Sequence, residues 1–373
     1  MSSVEEKTTF SWLNATQFFG ALNDNLFKLV IIFFLIASLG REHTDNITAT
    51  AGLFFVLPFL LFSHAAGVLA DRMSKRNIIV LVKLFEVFVM ALGVLALASG
   101  SPFFLYVVVF LMSLQSTFFG PSKFGIVPEL VRRESLSRVN SLLVSFSFLA
   151  IIIGTSAAPF VSSAVAPDYT LAGAVCVVIA AVGFLCSLGI KKTLPARSKN
   201  KFSLFFIKDI WATLRFIYRN DKYLFLTVIG SAYFLLIGAY LQLNLIGYGI
   251  NVLNMTKENS TFLFLIAACG IGLGSYLSGR LSGRNIEFGI VPIGAAGITL
   301  SSIIMSQMTS HHLFLVFVMI FALGISAGLF IVPLQAFIQY RSPDKKRGEI
   351  LAVSNFLSFC GVLIASLFIY LFS

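Results

Sequence analysis

Apolar stretches of roughly 20 residues recur along the whole chain, and each can cross a hydrocarbon layer about 30 Å thick as a helix. They fall at 12–38, 49–70, 77–99, 103–122, 138–163, 169–190, 223–249, 259–279, 287–308, 312–339 and 349–372. Strict apolar/polar alternation is absent, which argues against a barrel. Of the 373 residues 58% are hydrophobic and 12% charged, where a soluble domain carries about 25% charged residues. The chain reads as an all-α integral membrane protein of eleven spans.

With alternate loops assigned to one side, about 23 of the 27 Lys and Arg share the side of the N-terminus, so the N-terminus is expected in the cytoplasm. Arg41 and Lys257 lie opposite, and Lys28 and Lys83 fall within spans. Topology therefore accounts for the net charge of +11. No loop is long enough to hold DNA, which excludes nucleic acid as a partner. The first run lacks the short apolar core and small-residue cleavage site of a signal peptide and is expected to remain. Cys176, Cys186, Cys269 and Cys360 lie inside apolar runs without CxxC or CxxH spacing, against zinc, a disulfide or a redox pair.

The longest loop, 191–222, is basic and divides the chain into an N-terminal six-helix half at 1–190, a linker at 191–222 and a C-terminal half at 223–373. Within the linker, at about 100° per residue, Lys208, Arg215 and Arg219 share one helical face and Phe206, Ile210, Leu214 and Ile217 the opposite one. Two readings stand: a helix lying in an anionic leaflet, or a linker helix packed on the underside of the bundle. The halves repeat. LADRMSKR (69–76) matches LSGRLSGR (277–284), and FFGPSKFGIVPELVRRESLSRVNSLL (118–143) echoes FIVPLQAFIQYRSPDKKRGEILAVSNFL (330–357). Two matches at one offset indicate two parallel six-span halves. The partner of the sixth span is then expected beyond Ser373, so the twelfth span is missing from the expected pattern, and either a natural eleven-span form or a fragment of a longer or fused protein would explain it.

GVLADRMSKR (67–76) resembles the loop signature of the major facilitator superfamily, G-x-L-A-D-R-x-G-R-K/R, with Ser74 for the second glycine and Lys75 for the second arginine. QFFGALNDNLFK (17–28), GPSKFGIVPEL (120–130), PLQAFIQYRSP (333–343) and RGEILAVSNFL (347–357) narrow the resemblance to the lysophospholipid transporter branch, over nearly the whole chain. The version it most resembles is fused, in some bacteria, ahead of acyltransferase and acyl carrier protein synthetase domains. The resemblance implies a major facilitator fold that moves lysophospholipid, notably lysophosphatidylethanolamine, from the outer to the inner leaflet of the bacterial inner membrane for re-acylation. It also implies a coupling cation, Na⁺ or H⁺, and an acyltransferase or acyl-ACP synthetase, fused or separate, as partner. Asp71 and Arg72, with Gly67 permitting close helix contact, would latch the two halves on the cytoplasmic side. Arg76 and the repeat-related Arg280 and Arg284 join that gating set. A charge at a helix terminus supplies about 0.3 to 1 kcal/mol when exposed and about 2 when partly buried, enough to bias a near-balanced two-state protein. The plainer reading is that Arg72, Lys75 and Arg76 only follow the sidedness rule, and Lys75 is assigned to it.

On the first span Gln17, Gly20, Asp24 and Lys28 lie within about 80° of one another, a narrow stripe on an apolar helix. An ionised acid near the midplane costs at least about 3 kcal/mol on insertion scales, so Asp24 should face a wet cavity or a partner. Lys28, one turn on, is the expected partner. Asp24 can bind a cation (H⁺ or Na⁺, which makes it the one candidate metal ligand) or a headgroup amine; the competing reading is a structural ion pair. Asn23 and Asn25, about 100° to either side, offer neutral oxygens or hydrogen bonds to other spans. Lys83 and Glu86 are three residues apart inside the third span. Lys83 can meet a phosphate or snorkel to the interface. Gln115, Gln242, Asn244 and Gln335 are candidates for a phosphodiester and glycerol hydroxyl, although such groups often only join helices. His64 is read as solitary and non-catalytic.

No G-x-x-x-x-G-K-S/T is present to cradle a nucleotide, and no H-x-x-x-x-D acyltransferase pattern appears. No cofactor is expected, and the chain is expected not to be an enzyme. Two rivals to a lysophospholipid flippase working by alternating access remain open: another facilitator-type carrier, such as a drug exporter or cation-coupled symporter, and a non-transporting membrane module of an acyltransferase system.

Overall fold

The computed structural model describes residues 3–196, 198, 206–283 and 285–372. Twelve α-helices account for nearly all of them: α1 Ser3–Leu39, α2 Thr44–Arg72, α3 Lys75–Ser99, α4 Pro102–Leu130, α5 Leu136–Val165, α6 Thr170–Leu188, α7 Phe206–Asn220, α8 Lys222–Asn251, α9 Lys257–Leu281, α10 Ile290–Ser306, α11 Leu313–Arg341 and α12 Arg347–Phe372. All but α7 coincide with the eleven expected spans. Among the described residues ten segments are long and apolar enough to cross a membrane, while α10, at 17 residues, is shorter.

One boundary moved with consequence. The fourth span, expected to end at residue 122, continues to Leu130 through Pro121 and Pro128. Each proline removes one backbone donor, a loss that a membrane helix tolerates when neighbouring groups satisfy the freed carbonyl. Lys123 and Glu129, read as loop residues, thereby become helix residues.

The chain forms two compact units. The first is Met1–Leu130, Ala150–Thr213 and Pro343–Val353; the second is Val131–Leu149, Leu214–Ser342 and Ser354–Ser373. In the first, α1 packs against α6 and α4, α2 against α4, and α3 against α4 and α6. Its apolar core centres on Phe27, Ile31, Leu35, Met90, Leu105 and Met112, all fully buried. In the second, α11 packs against α9, α10 and α8. Two small-xxx-small pairs, Gly270/Gly274 on α9 and Gly324/Gly328 on α11, meet backbone to backbone: a Cβ at Gly270 would lie 3.0 Å from the Gly324 Cα. Without a hydrophobic drive between helices in lipid, such close approach supplies the packing.

The linker helix α7 turns Ile210, Leu214 and Ile217 inward, at 4%, 9% and 1% exposure. The apolar face read from the sequence thus packs on protein. Its Asp209 meets His64 of α2, with Oδ2 3.5 Å from Nε2. His64 is buried and is not solitary. Arg197, Lys199 and Lys201 lie outside the described residues.

Candidate substrate site

In the first unit α1, α3 and α4 bring polar residues, some buried and some half-buried, into neighbouring hydrogen-bonded clusters inside otherwise apolar helices. Asp24 Oδ2 accepts a hydrogen bond from Ser116 Oγ at 2.6 Å, and Oδ1 accepts one from Gln115 Nε2 at 3.2 Å. Gln115 Nε2 also reaches Ser116 Oγ at 2.9 Å. On the neighbouring side Lys83 Nζ pairs with Glu86 Oε2 at 2.5 Å, and Asn23 Nδ2 donates to Glu86 Oε1 at 3.2 Å. Lys83 and Glu86 are 2% and 1% exposed in their side chains, so Lys83 does not snorkel.

Gly20 is what admits the lysine, since a Cβ there would collide with Lys83 Nζ. The ammonium also lies 4.6 Å from the Phe119 ring centroid. Lys123, one residue past the end of the span expected from hydropathy, donates to Gln17 Oε1 at 3.3 Å and stands 4.4 Å from the Phe124 ring centroid. Gln17 Nε2 in turn donates to Asn14 Oδ1 at 2.9 Å.

Asp24 and Lys28 make no direct ion pair within 4 Å, although the two charges interact at longer range. Lys28 Nζ lies over the Phe55 ring, 4.8 Å from its centroid, while the Asp24 oxygens are taken by α4. A ring face suits an ammonium whose neighbouring acid already accepts two hydrogen bonds. Asn25 donates back to Ala21 O in its own helix at 2.8 Å. Two buried side-chain oxygens, Asn23 Oδ1 and Gln115 Oε1, have no hydrogen-bond partner. No group of three or more His, Cys, Asp or Glu capable of holding a metal exists among the described residues.

At the other end of α2, Asp71 is fully buried and caps the start of α12, accepting from Gly348 N at 2.7 Å and Glu349 N at 2.9 Å. Two donors at a helix N-terminus that lack partners within the helix are thereby satisfied by a charged group. Gly67 makes the approach possible, since a Cβ there would lie 2.6 Å from the Ala352 Cβ and 2.7 Å from Gly348 O. Arg76 donates to Ile190 O at 3.2 Å and Leu188 O at 3.1 Å, holding the end of α6. Arg72 is exposed.

Lys75 overturns its assignment to sidedness alone. Its side chain is fully buried and Nζ sits 2.6 Å from Glu129 Oε1, a partner that exists because α4 runs on to Leu130. In the second unit the position matching Asp71 is Gly279, where a Cβ would lie 2.5 Å from the Ser141 Cβ of α5. The repeat keeps the close helix contact and drops the carboxylate. Arg280 is exposed and lies 5.0 Å from the Tyr276 ring centroid, and Arg284 is outside the described residues.

Asp71→Ala is expected to destabilise the protein by about 1 to 2 kcal/mol through loss of the α12 cap, and Asp71→Asn by less, because Asn caps nearly as well as Asp. Thermal unfolding of the detergent-solubilised variants reads the difference; equal midpoints for both variants and the parent would refute it.

The remaining candidates lie in the second unit. Gln242 lines an apolar cavity of about 180 Å³ with Phe234, Leu241, Phe264, Ile298 and Phe330. Asn244 donates back to Tyr240 O at 3.1 Å. Gln335 is half-buried with Oε1 unpartnered. One turn on, Gln339 forms a reciprocal amide pair with Asn140, at 2.6 and 3.0 Å, of which only the residue types were legible beforehand.

The sequence profile described as Major Facilitator Superfamily matches residues 13–366. The protein named lysophospholipid transporter LplT of Photorhabdus laumondii subsp. laumondii is 26% identical, with 87% of this chain and 78% of that protein covered. The protein of the same name from Enterobacter sp. (strain 638) is 26% identical, covering 92% of this chain and 83% of its own length. The crystal structure of the human organic anion transporter MFSD10 superposes with a TM-score of 0.80 at 14% identity, covering 97% of this chain and 94% of that one. These similarities are to transporters rather than enzymes. With its apolar helices, its loop motif and a profile match over nearly its whole length, this multi-pass membrane chain belongs to the Major Facilitator Superfamily and is a transporter.

Proposed function

We propose that the chain carries lysophospholipid of the lysophosphatidylethanolamine type from the outer to the inner leaflet of the bacterial inner membrane by alternating access, delivering it for re-acylation. The observation that carries this reading is the gathering of buried and half-buried charged and polar side chains on α1, α3 and α4. It sets three lysines, Lys28, Lys83 and Lys123, against two carboxylates, Asp24 and Glu86. A zwitterionic headgroup needs such a mixture: lysines for the phosphate, a carboxylate for the amine, and amides and hydroxyls for the glycerol. Asp24, Asn23 and Gln115 are the groups that would take a coupling Na⁺ or H⁺. The apolar cavity at Gln242 and Phe330 suits part of an acyl chain, which a small polar solute would not require. Relatives named for lysophospholipid transport support the same substrate class. A re-acylating enzyme, fused or separate, is the partner that this substrate calls for, and the basic loops fit a cytoplasmic N-terminus.

The test is uptake of labelled lysophosphatidylethanolamine by cells lacking their own carrier, with and without Na⁺, and with amphiphilic drugs as competitors. Uptake that lysolipid headgroups inhibit and drugs do not is the expected result. No uptake above the empty-vector cells, at verified membrane expression, would overturn the lysolipid reading. Inhibition by drugs alone would make the protein another kind of facilitator carrier.

A further inference from the structure

We propose that α7 is a membrane-surface helix that seats a second stripe, Ile207, Trp211 and Tyr218, flanked by Lys208, Arg215 and Arg219, in the anionic headgroup layer. The apolar face evident in the sequence is consumed by protein contacts at Ile210, Leu214 and Ile217. That leaves Ile207, Trp211 and Tyr218 exposed at 67%, 69% and 54%. At about 100° per residue these three fall within about 40° of one another, and Arg215, Lys208 and Arg219 follow within the next 80° or so. An aromatic and apolar stripe bordered by bases is the pattern of a helix lying in an interface: the rings enter the headgroup region and the cations meet lipid phosphates.

The position of the helix commits it to that occupant. Asp221 follows α7 directly and caps α8, accepting from Tyr223 N and Leu224 N at 3.1 Å. Arg341 Nε holds the same carboxylate at 2.5 Å. The α8 segment Lys222–Asn251 is long and apolar enough to cross the membrane, so α7 ends where a span begins. The Tyr218 ring packs edge-on against Phe225 of α8, with centroids 5.2 Å apart, and Tyr223 beside it is 75% exposed. Trp and Tyr at such a boundary belong to the interfacial belt. Toward its other end Asp209 approaches His64 of α2, with Oδ2 3.5 Å from Nε2, on a side of the helix away from the exposed stripe. The inference does not depend on what the protein carries.

The chain has two tryptophans, Trp12 and Trp211. The full-length protein is reconstituted in nanodiscs of phosphatidylcholine alone or with phosphatidylglycerol, and the Trp211 signal is isolated as the difference between the parent and Trp211→Phe. The Trp12→Phe variant gives the same signal by an independent route. In discs with phosphatidylglycerol the expected result is blue-shifted emission, quenching by lipids brominated near the headgroup end of the acyl chain, and acrylamide quenching weaker by about twofold or more. Arg215→Glu with Arg219→Glu is expected to remove the dependence on phosphatidylglycerol. Full acrylamide quenching without lipid quenching would place the stripe in water and overturn the proposal. Protection from both quenchers would mean that protein, such as a second copy, covers it, and equal lipid quenching in both discs would refute the role of the bases.

Discussion

Asp24→Asn is expected to abolish uptake of lysophosphatidylethanolamine while leaving the amount of protein in the membrane unchanged. The substitution keeps size and shape. It removes the charge; the new amide oxygen can still accept from Gln115 Nε2, and the amide nitrogen can donate to Ser116 Oγ, whose hydroxyl accepts as well as donates. What uptake would lose is the carboxylate proposed to meet a headgroup amine or a coupling cation: a hydrogen bond to a charged group contributes about 1.5 to 3 kcal/mol, so losing that one changes binding by about tenfold to a hundredfold. Uptake by the Asn variant at the rate of the parent, measured at equal membrane expression, would remove Asp24 from the transport site and leave it a structural link between α1 and α4.

Lys83→Met should have the largest effect on stability. Lys83 and Glu86 are almost fully buried and joined at 2.5 Å, and methionine leaves Glu86 with Asn23 as its remaining hydrogen-bond donor. Removing one partner of a buried pair costs about 3 to 5 kcal/mol, because the other charge stays uncompensated, whereas replacing both by apolar residues is often close to neutral. The double variant Lys83→Met, Glu86→Met is therefore expected to recover most of the unfolding midpoint that the single variant loses. Thermal unfolding in detergent compares the three proteins. An unchanged midpoint for Lys83→Met would show that Glu86 is not held by this pair, and a double variant as unstable as the single one would assign the loss to packing under Phe119.

The number of spans and the cost of a charge inside one follow from properties local to a single helix. Length and apolarity decide whether a segment crosses a membrane, and every one of the eleven expected spans is a helix in the structure. Ionisable residues within an apolar run are costly wherever they point, which singled out Asp24, Lys83 and Glu86 before any contact was known. The loop motif and the repeat were equally legible, being matters of residue order.

Which polar group meets which was decided only by the tertiary structure, because it depends on the faces that different helices turn toward each other. Asp24 bonds to Gln115, 91 residues away, rather than to Lys28 on the next turn. The partner of Asp71 is a helix start 277 residues on. Lys75 looked like one more cytoplasmic base until α4 continued past two prolines and brought Glu129 to it. In α7 the apolar residues cover an arc about 120° wide, and periodicity cannot say which part of it packs on protein; the fold turned Ile210, Leu214 and Ile217 inward and left Ile207, Trp211 and Tyr218 outside. A helical period assigns residues to faces, but only the approach of a second helix decides which face is covered.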